Sequence, residues 1–480
     1  MNNIIEINKL IKIINLLLFI TTIIFYYIND FSNLVNFNSL FLYIILFLEI
    51  NYFLKKNYVL KSPFITILCF VLIFFYLTRL VTINYYDSYD HSDVLNRLIP
   101  ADVNDLNFSL IFIIFANLMI FLGIYHGEKN KPNIKMASTL ESNKKSNVER
   151  VYYLSLLFLF NFVLNYEINY DNWFFELFSY VISPSQVIMV SIIIFIIYEN
   201  SPFKMVYYYR NLIFLNIVLY AVTLFLLGSR SGLMSVILMF FFGFLACNKS
   251  LLKIKYMVFF IAFAFASFHL YNIATYLRYV KNSTGQFQYS SGLSIGIDYY
   301  LNNNADFIQK FGPAFDRISY LDFTIDAIKN SDEYSKVVNM PNEIYSIIDG
   351  LTPGFDVFNA PKVANALSAI YFDEPARLDR INSETYQSDQ MGVYGEFYIL
   401  FYKWLSLPIF SIFSYFFVRI YNKNPFEDFF SASVWRVFIL SCFYQWLISF
   451  GLDWLVIYSI LNLISIGIVL LIINSRFRSN

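Results

Sequence analysis

Gly228-Ser229-Arg230-Ser231-Gly232 sets one arginine among small residues at the edge of an apolar segment. An arginine inside a membrane is expensive, ~2.5–3.5 kcal/mol at a helix centre and less near the edge. The apolar pattern predicts a helix that begins at this turn. Its free N–H groups and positive dipole end then point toward Arg230 and Ser231, and together they make a phosphate site. The same residues also suit an interfacial arginine in a tight helical hairpin, snorkelling to headgroups. Asp87, Asp90, His91 and Asp93 form a second constellation. Hard cations favour such carboxylates, although an ordinary solvated cluster has the same spacing. His269 lies in an apolar segment, where a hydrogen bond between helices is its commoner role and proton transfer the rarer. Cys69, Cys247 and Cys442 all fall in or at the end of apolar segments and show no metal-thiolate pattern.

Positioning these groups is the task of membrane helices. Hydrophobic residues make up 58% of the chain and charged residues 14%, the composition of an integral membrane protein. A hydrocarbon core about 30 Å thick needs ~20 mostly apolar residues per crossing. Windows that qualify are 10–28, 37–54, 63–83, 108–126, 151–165, 175–198, 211–227, 232–247, 256–274, 394–420, 432–450 and 454–473. The expected fold is an all-α polytopic membrane protein of about 12 transmembrane helices. The first window lacks an Ala-x-Ala-like cleavage site and reads as a retained helix.

Orientation follows from lysine and arginine, which gather in cytoplasmic loops. Lys55, Lys56, Lys61, Lys129, Lys131, Lys135, Lys144, Lys145, Arg150, Lys204, Arg210, Lys249, Lys253, Lys255 and Lys423 fall on one side, with Lys9, Lys12, Arg476 and Arg478. The opposing short loops offer Arg97 and Arg230. Both termini are therefore expected in the cytoplasm, and the hydrophilic stretch 275–393 outside. That stretch carries fifteen acidic and nine basic residues, a net of −6. An anionic ligand there needs a local arginine cluster, and a net charge of zero overall gives nucleic acid no purchase. The expected regions are an N-terminal four-span membrane region over 1–126, a cytoplasmic linker 127–150, spans 5–9 over 151–274, the external loop 275–393 between spans 9 and 10, and spans 10–12 with a cytoplasmic tail over 394–480. Within the loop, Gly312-Pro313 opens an expected helix in which Ile318, Leu321, Ile325 and Ile328 recur at helical spacing. It suits the membrane surface or the flank of the bundle.

The run Leu227-Gly228-Ser229-Arg230-Ser231-Gly232-Leu233 resembles the arginine turn of oligosaccharide repeat-unit (O-antigen, Wzy-type) polymerases. Further pieces follow in that family's order: Tyr276-Leu277-Arg278-Tyr279, the large external loop, then Gly392-Val393-Tyr394-Gly395-Glu396-Phe397-Tyr398. Asn382-Ser383-Glu384-Thr385-Tyr386 and Phe450-Gly451-Leu452-Asp453 are similar to the enterobacterial common antigen branch. The similarity covers about 205–460. Phe355 after Thr352-Pro353-Gly354 departs from it, since that branch has a basic residue there.

This resemblance implies a GT-C-like architecture in a bacterial inner membrane, and a substrate that is an oligosaccharide on undecaprenyl diphosphate. The growing glycan would pass from its lipid diphosphate to a hydroxyl of the incoming unit, in O-antigen or capsule biosynthesis. A flippase and a chain-length regulator are the implied protein partners. Such chemistry needs charge stabilisation on the departing diphosphate and a base for the hydroxyl. Arg230, Arg278 and Arg317, with Ser231, are the diphosphate candidates, because a guanidinium fork matches phosphate oxygens and stays charged. Arg377 and Arg380 sit in an acidic run and read as surface ion pairs. For the base the candidates are Glu396, Glu384 and Asp389. Glu396 stands at the mouth of span 10, where partial burial raises a carboxyl pKa, or where it complements a helix dipole. No cofactor or metal is expected. The alternatives are a metal-dependent lipid-phosphosugar glycosyltransferase using Asp87, Asp90 and Asp93, an O-antigen ligase, and a lipid-linked oligosaccharide flippase.

Overall fold

A computed structural model describes residues 4–28, 36–79, 102–129, 144–167, 184–198, 204–226, 230–247, 251–253, 273, 294, 297, 320–352, 357–371, 378, 391–426, 428–448 and 451–474. It is all-helical apart from one pair of three-residue strands, β1 (Ile4–Glu6) antiparallel to β2 (Leu251–Lys253). The helices are α1 (Ile7–Ile28), α2 (Phe37–Leu60), α3 (Pro63–Val71), α4 (Val103–Lys129), α5 (Lys144–Glu167), α6 (Pro184–Ile197), α7 (Lys204–Leu226) and α8 (Arg230–Ala246). From the hydrophilic stretch come α9 (Tyr320–Lys329), α10 (Met340–Leu351) and α11 (Ala366–Tyr371). The last four are α12 (Gly392–Leu400), α13 (Ser406–Asn422), α14 (Phe429–Ile448) and α15 (Leu452–Asn474).

Six of the described helices are long and apolar enough to cross a membrane, beginning at Ile7, Phe37, Val103, Lys204, Lys403 and Leu452. Shorter apolar helices cover 63–77, 185–197 and 234–246. Eleven of the twelve expected windows carry helix, while 256–274 lies outside the described residues apart from Ile273. The window 394–420 is not one helix. The chain turns at Tyr402 and Lys403, whose φ angles of 57° and 64° are left-handed, and divides it into α12 and α13. Left-handed backbone at two successive side-chain-bearing residues breaks the helical ladder, so α12 is a nine-residue helix, too short to span.

Local chemistry sets several boundaries. Asn36 and Ser39 form a reciprocal capping box at the start of α2. Lys61 ends α2 in a left-handed conformation and donates to the Asn57 carbonyl, after which Pro63 opens α3. Beyond Val71 the helix widens into a π turn, Leu72–Leu77, which Thr78 closes by donating its hydroxyl to the Ile73 carbonyl at 2.8 Å.

Close packing holds the bundle together. Gly123 and Gly127 let α4 lie directly against α13, since a methyl group on Gly123 would overlap Ser414 and the Ser411 carbonyl. Small residues spaced by four are the usual device for such approach in membranes. Phe397, Phe410, Phe413, Phe417 and Phe443 pack around the buried indole of Trp446 with centroids 5.6–6.3 Å apart. α14 is mostly buried in this interior. Its Ser433 turns its hydroxyl back on the helix, donating to the Phe429 carbonyl at 2.7 Å.

Contacts assign the helix ends to two faces of the bundle. On one, Asn57 donates to Asn8 and Thr66, Phe64 meets Tyr421, and Arg150 donates to the Ile473 carbonyl. The start of α1 and the end of α15 thus share an end. On the other, Ser39 meets Asn107, Arg79 meets Asp322, and Lys329 meets Asp105. β2 pairs with β1 beside the start of α1, and α8 ends only five residues before β2. The N-terminus of α8 must therefore lie toward the opposite end, the one that holds α9.

Candidate functional site

Two helices from the hydrophilic stretch dock at that end, and each brings carboxylates. α9 places Leu321, Ile325 and Ile328 inward at the expected helical spacing and buries Asp322, Thr324 and Asp326 as well. Arg79, two residues past the π turn, bonds through Nε to Asp322 Oδ2 at 2.8 Å, with both side chains under a tenth exposed. Burial pushes the Asp322 carboxyl up and the Arg79 guanidinium draws it back down. Thr324 donates to the Met391 carbonyl at 2.8 Å, where the chain enters α12. Gly395 lets α12 press onto Ala327, and Gly392, with φ of 70°, supplies backbone that other residues resist. Asp326 accepts from the Tyr334 hydroxyl and from Asn330 at 2.7 Å. Burial raises it and those two donors oppose the shift.

The second cluster gathers at the N-terminus of α15. A helix start leaves N–H groups without partners and carries a partial positive charge. Glu396 of α12 accepts from Leu452 N at 2.6 Å, and Glu343 of α10 accepts from Asp453 N at 2.7 Å. Asp453 takes the Trp454 N–H on one oxygen, at 2.7 Å, and the Ser346 hydroxyl on the other. Gly451, with φ of 96°, makes the entry turn, and a side chain there would strike Asp453 and Ala364. The three acids are 1–3% exposed. Among the described residues Glu343 Oε1 has no hydrogen-bond partner.

Proximity of three acids in a dry site resists full ionisation. Burial, then the charges of Asp453 and Glu396, hold the Glu343 carboxyl well above the usual range. Burial also raises Glu396, to about 8, against the pull of the Leu452 N–H. Glu396 lies in α12, outside the helices able to span. Chemically the cluster can hold a helix terminus, and burial favours the protonated form of its carboxyls.

Of the residues expected to act, Glu396 is thus buried on a helix terminus that also displays Asp453, joining two stretches 56 residues apart. Arg230 and Ser231 begin α8, as the turn predicted, and their side chains lie outside the described set. Arg278, Arg317, Glu384, Asp389, His269, Asp87, Asp90 and Asp93 fall outside the described residues. Among the described residues no group of three or more His, Cys, Asp or Glu has metal-holding geometry. Sequence reasoning missed Arg79 and Glu343. A charge at the end of an apolar window was the available signal for Arg79. Glu343 gave none beyond its i, i+3, i+6 alignment with Ser346 and Asp349, all three buried.

Compared with protein-family models, curated proteins and solved structures, the chain matches none.

Proposed function

We propose that this protein is a membrane glycosyltransferase that polymerises oligosaccharide units carried on undecaprenyl diphosphate. In this reading twelve helices span a bacterial inner membrane, both termini are cytoplasmic and 275–393 faces outward. The observation that carries it is the convergence of Glu396 and Asp453, from two of the sequence pieces that carry the resemblance, at one end of the bundle. The N-terminus of α8, with Arg230, belongs to the same end.

The reaction breaks the bond between the anomeric carbon of the growing glycan and its lipid diphosphate. An acceptor hydroxyl forms the new glycosidic bond, its proton going to a carboxylate. Arg230 and Arg278, with Arg317 and Ser231, neutralise the departing diphosphate. Glu396, whose carboxyl burial raises to about 8, is one candidate base; Glu384 and Asp389 are the others.

Polymer length in membranes supplied with lipid-linked units tests the reading. Arg230→Ala and Arg278→Ala should each abolish polymer while single units accumulate, with lysine rescuing partly, and activity should persist in excess EDTA. Full-length polymer from both alanine variants at normal expression would overturn it.

A further inference from the structure

α10 is amphipathic the wrong way round for a helix in water. Its polar residues Glu343, Ser346 and Asp349 point inward and are at most 3% exposed. Its outward side presents Met340, Ile344, Tyr345 and Ile348, between 36% and 52% exposed, with no charged residue among them. Asp349 extends this face, for its two oxygens accept from Phe358 N at 3.0 Å and Ala360 N at 2.8 Å. That clasp lays Phe358 flat on Tyr345, centroids 4.6 Å apart, beside Val357, which is 62% exposed.

The depth of this face is fixed by α15. Ile473 lies at one end of the bundle and Leu452 at the other, and 22 residues at 1.5 Å each reach about 33 Å, close to the hydrocarbon thickness. Leu452 and Asp453 therefore stand at the membrane boundary. Trp454, next in the chain and 41% exposed, has the character of the aromatic belt found there. Further along the same helix, Ile460, Leu463, Ile464 and Leu471 form an exposed apolar stripe. Glu343 and Ser346 are bonded to Asp453, so α10 lies at that level and its apolar side continues the lipid-facing surface of α15.

From this geometry we infer that α10, with Val357 and Phe358, is seated in the membrane interface, its outward face in contact with phospholipid acyl chains. Lipid is the occupant because the face is uncharged, continues a spanning helix and lies at the boundary depth. Water contact would leave several large apolar side chains exposed, which acyl chains would cover. The inference depends on the membrane character of the chain and is independent of the reaction it catalyses.

Nitroxide labels at Ile344→Cys, Ile348→Cys and Val357→Cys test it in phospholipid vesicles, with Cys69, Cys247 and Cys442 replaced and Lys336→Cys as the exposed polar control. Collisions with oxygen, which concentrates in lipid, are compared with those of a water-soluble nickel chelate. The oxygen-to-nickel ratio at the three apolar sites should exceed that at residue 336 severalfold. A ratio equal to the control would overturn the inference in favour of water. Shielding from both reagents would overturn it in favour of a protein cover, such as a second copy. Three independent sites keep the test decisive if one variant fails to fold.

Discussion

α9 and α10 both come from the hydrophilic stretch, dock at the same end of the bundle and bury acids, yet they are held by different physics. α9 is fastened by opposite charges, Asp322 on Arg79 at 2.8 Å. α10 is fastened by the Glu343 carboxyl on an open N–H of α15 and by the Ser346 hydroxyl on Asp453, with like charges close by. An ion pair in a dry site is weak when whole and costly when halved, because the survivor is left charged without compensation. Carboxyls gathered in a dry site on one helix terminus repel one another as they lose their protons. The first fastening should thus be sensitive to mutation and the second to pH.

Halving the ion pair should produce the largest effect. Arg79→Ala is expected to cost ~3–5 kcal/mol in the opening free energy of the α9 amides, read by hydrogen exchange. Arg79→Met with Asp322→Leu should recover most of that. A double variant as loose as the single would mean that Arg79 acts through other contacts.

Sequence alone could anticipate α9 but not its fastening. The spacing of Leu321, Ile325 and Ile328 marks the inward face, while nothing local shows that Asp322 and Asp326 are buried beside it. The partner that allows Asp322 to be buried lies 243 residues away, beyond any local pattern. α10 fails differently. Periodicity finds two faces and does not say which is inside, so Glu343, Ser346 and Asp349 pass for a water-facing row. The apolar windows were legible because length and composition alone define them. The corner at Tyr402 was not, since it uses neither glycine nor proline. Glu396 was legible as a carboxyl at a helix mouth, but not its use by the start of α15.

A smaller, graded effect is expected from pH. The Glu396 carboxyl rises to about 8 in the fold from ~4.3 in the unfolded chain. A raised acid adds stability that is complete below the unfolded value and lost as pH rises through the folded one. Glu343 shifts in the same direction. Protection of the α10 and first α15 amides, corrected for intrinsic exchange, should fall between about pH 5 and pH 8. Glu396→Gln keeps an acceptor for Leu452 N–H and should flatten that fall; an unchanged slope would remove Glu396 as its source. The α9 amides should respond far less over the same range.

The smallest effect belongs to the outer edge of the α9 contact. Lys329 and Asp105 lie 2.9 Å apart but are 40% and 28% exposed, and such pairs contribute ~0–1 kcal/mol. Lys329→Ala should leave α9 protection nearly unchanged. A loss approaching that of Arg79→Ala would erase the distinction between the inner and outer contacts.

The π turn at Leu72–Leu77 sets the direction in which the ion pair forms. Such a turn holds one residue more than an α turn, equivalent to a single-residue insertion tolerated inside a packed helix. Thr78 and Arg79 are thereby rotated by about 100° from where an unbroken α-helix would set them. Without that extra residue, the guanidinium would face another side of α3. The surplus residue is thus a rotary adjustment, and the docking of an element more than two hundred residues downstream depends on it.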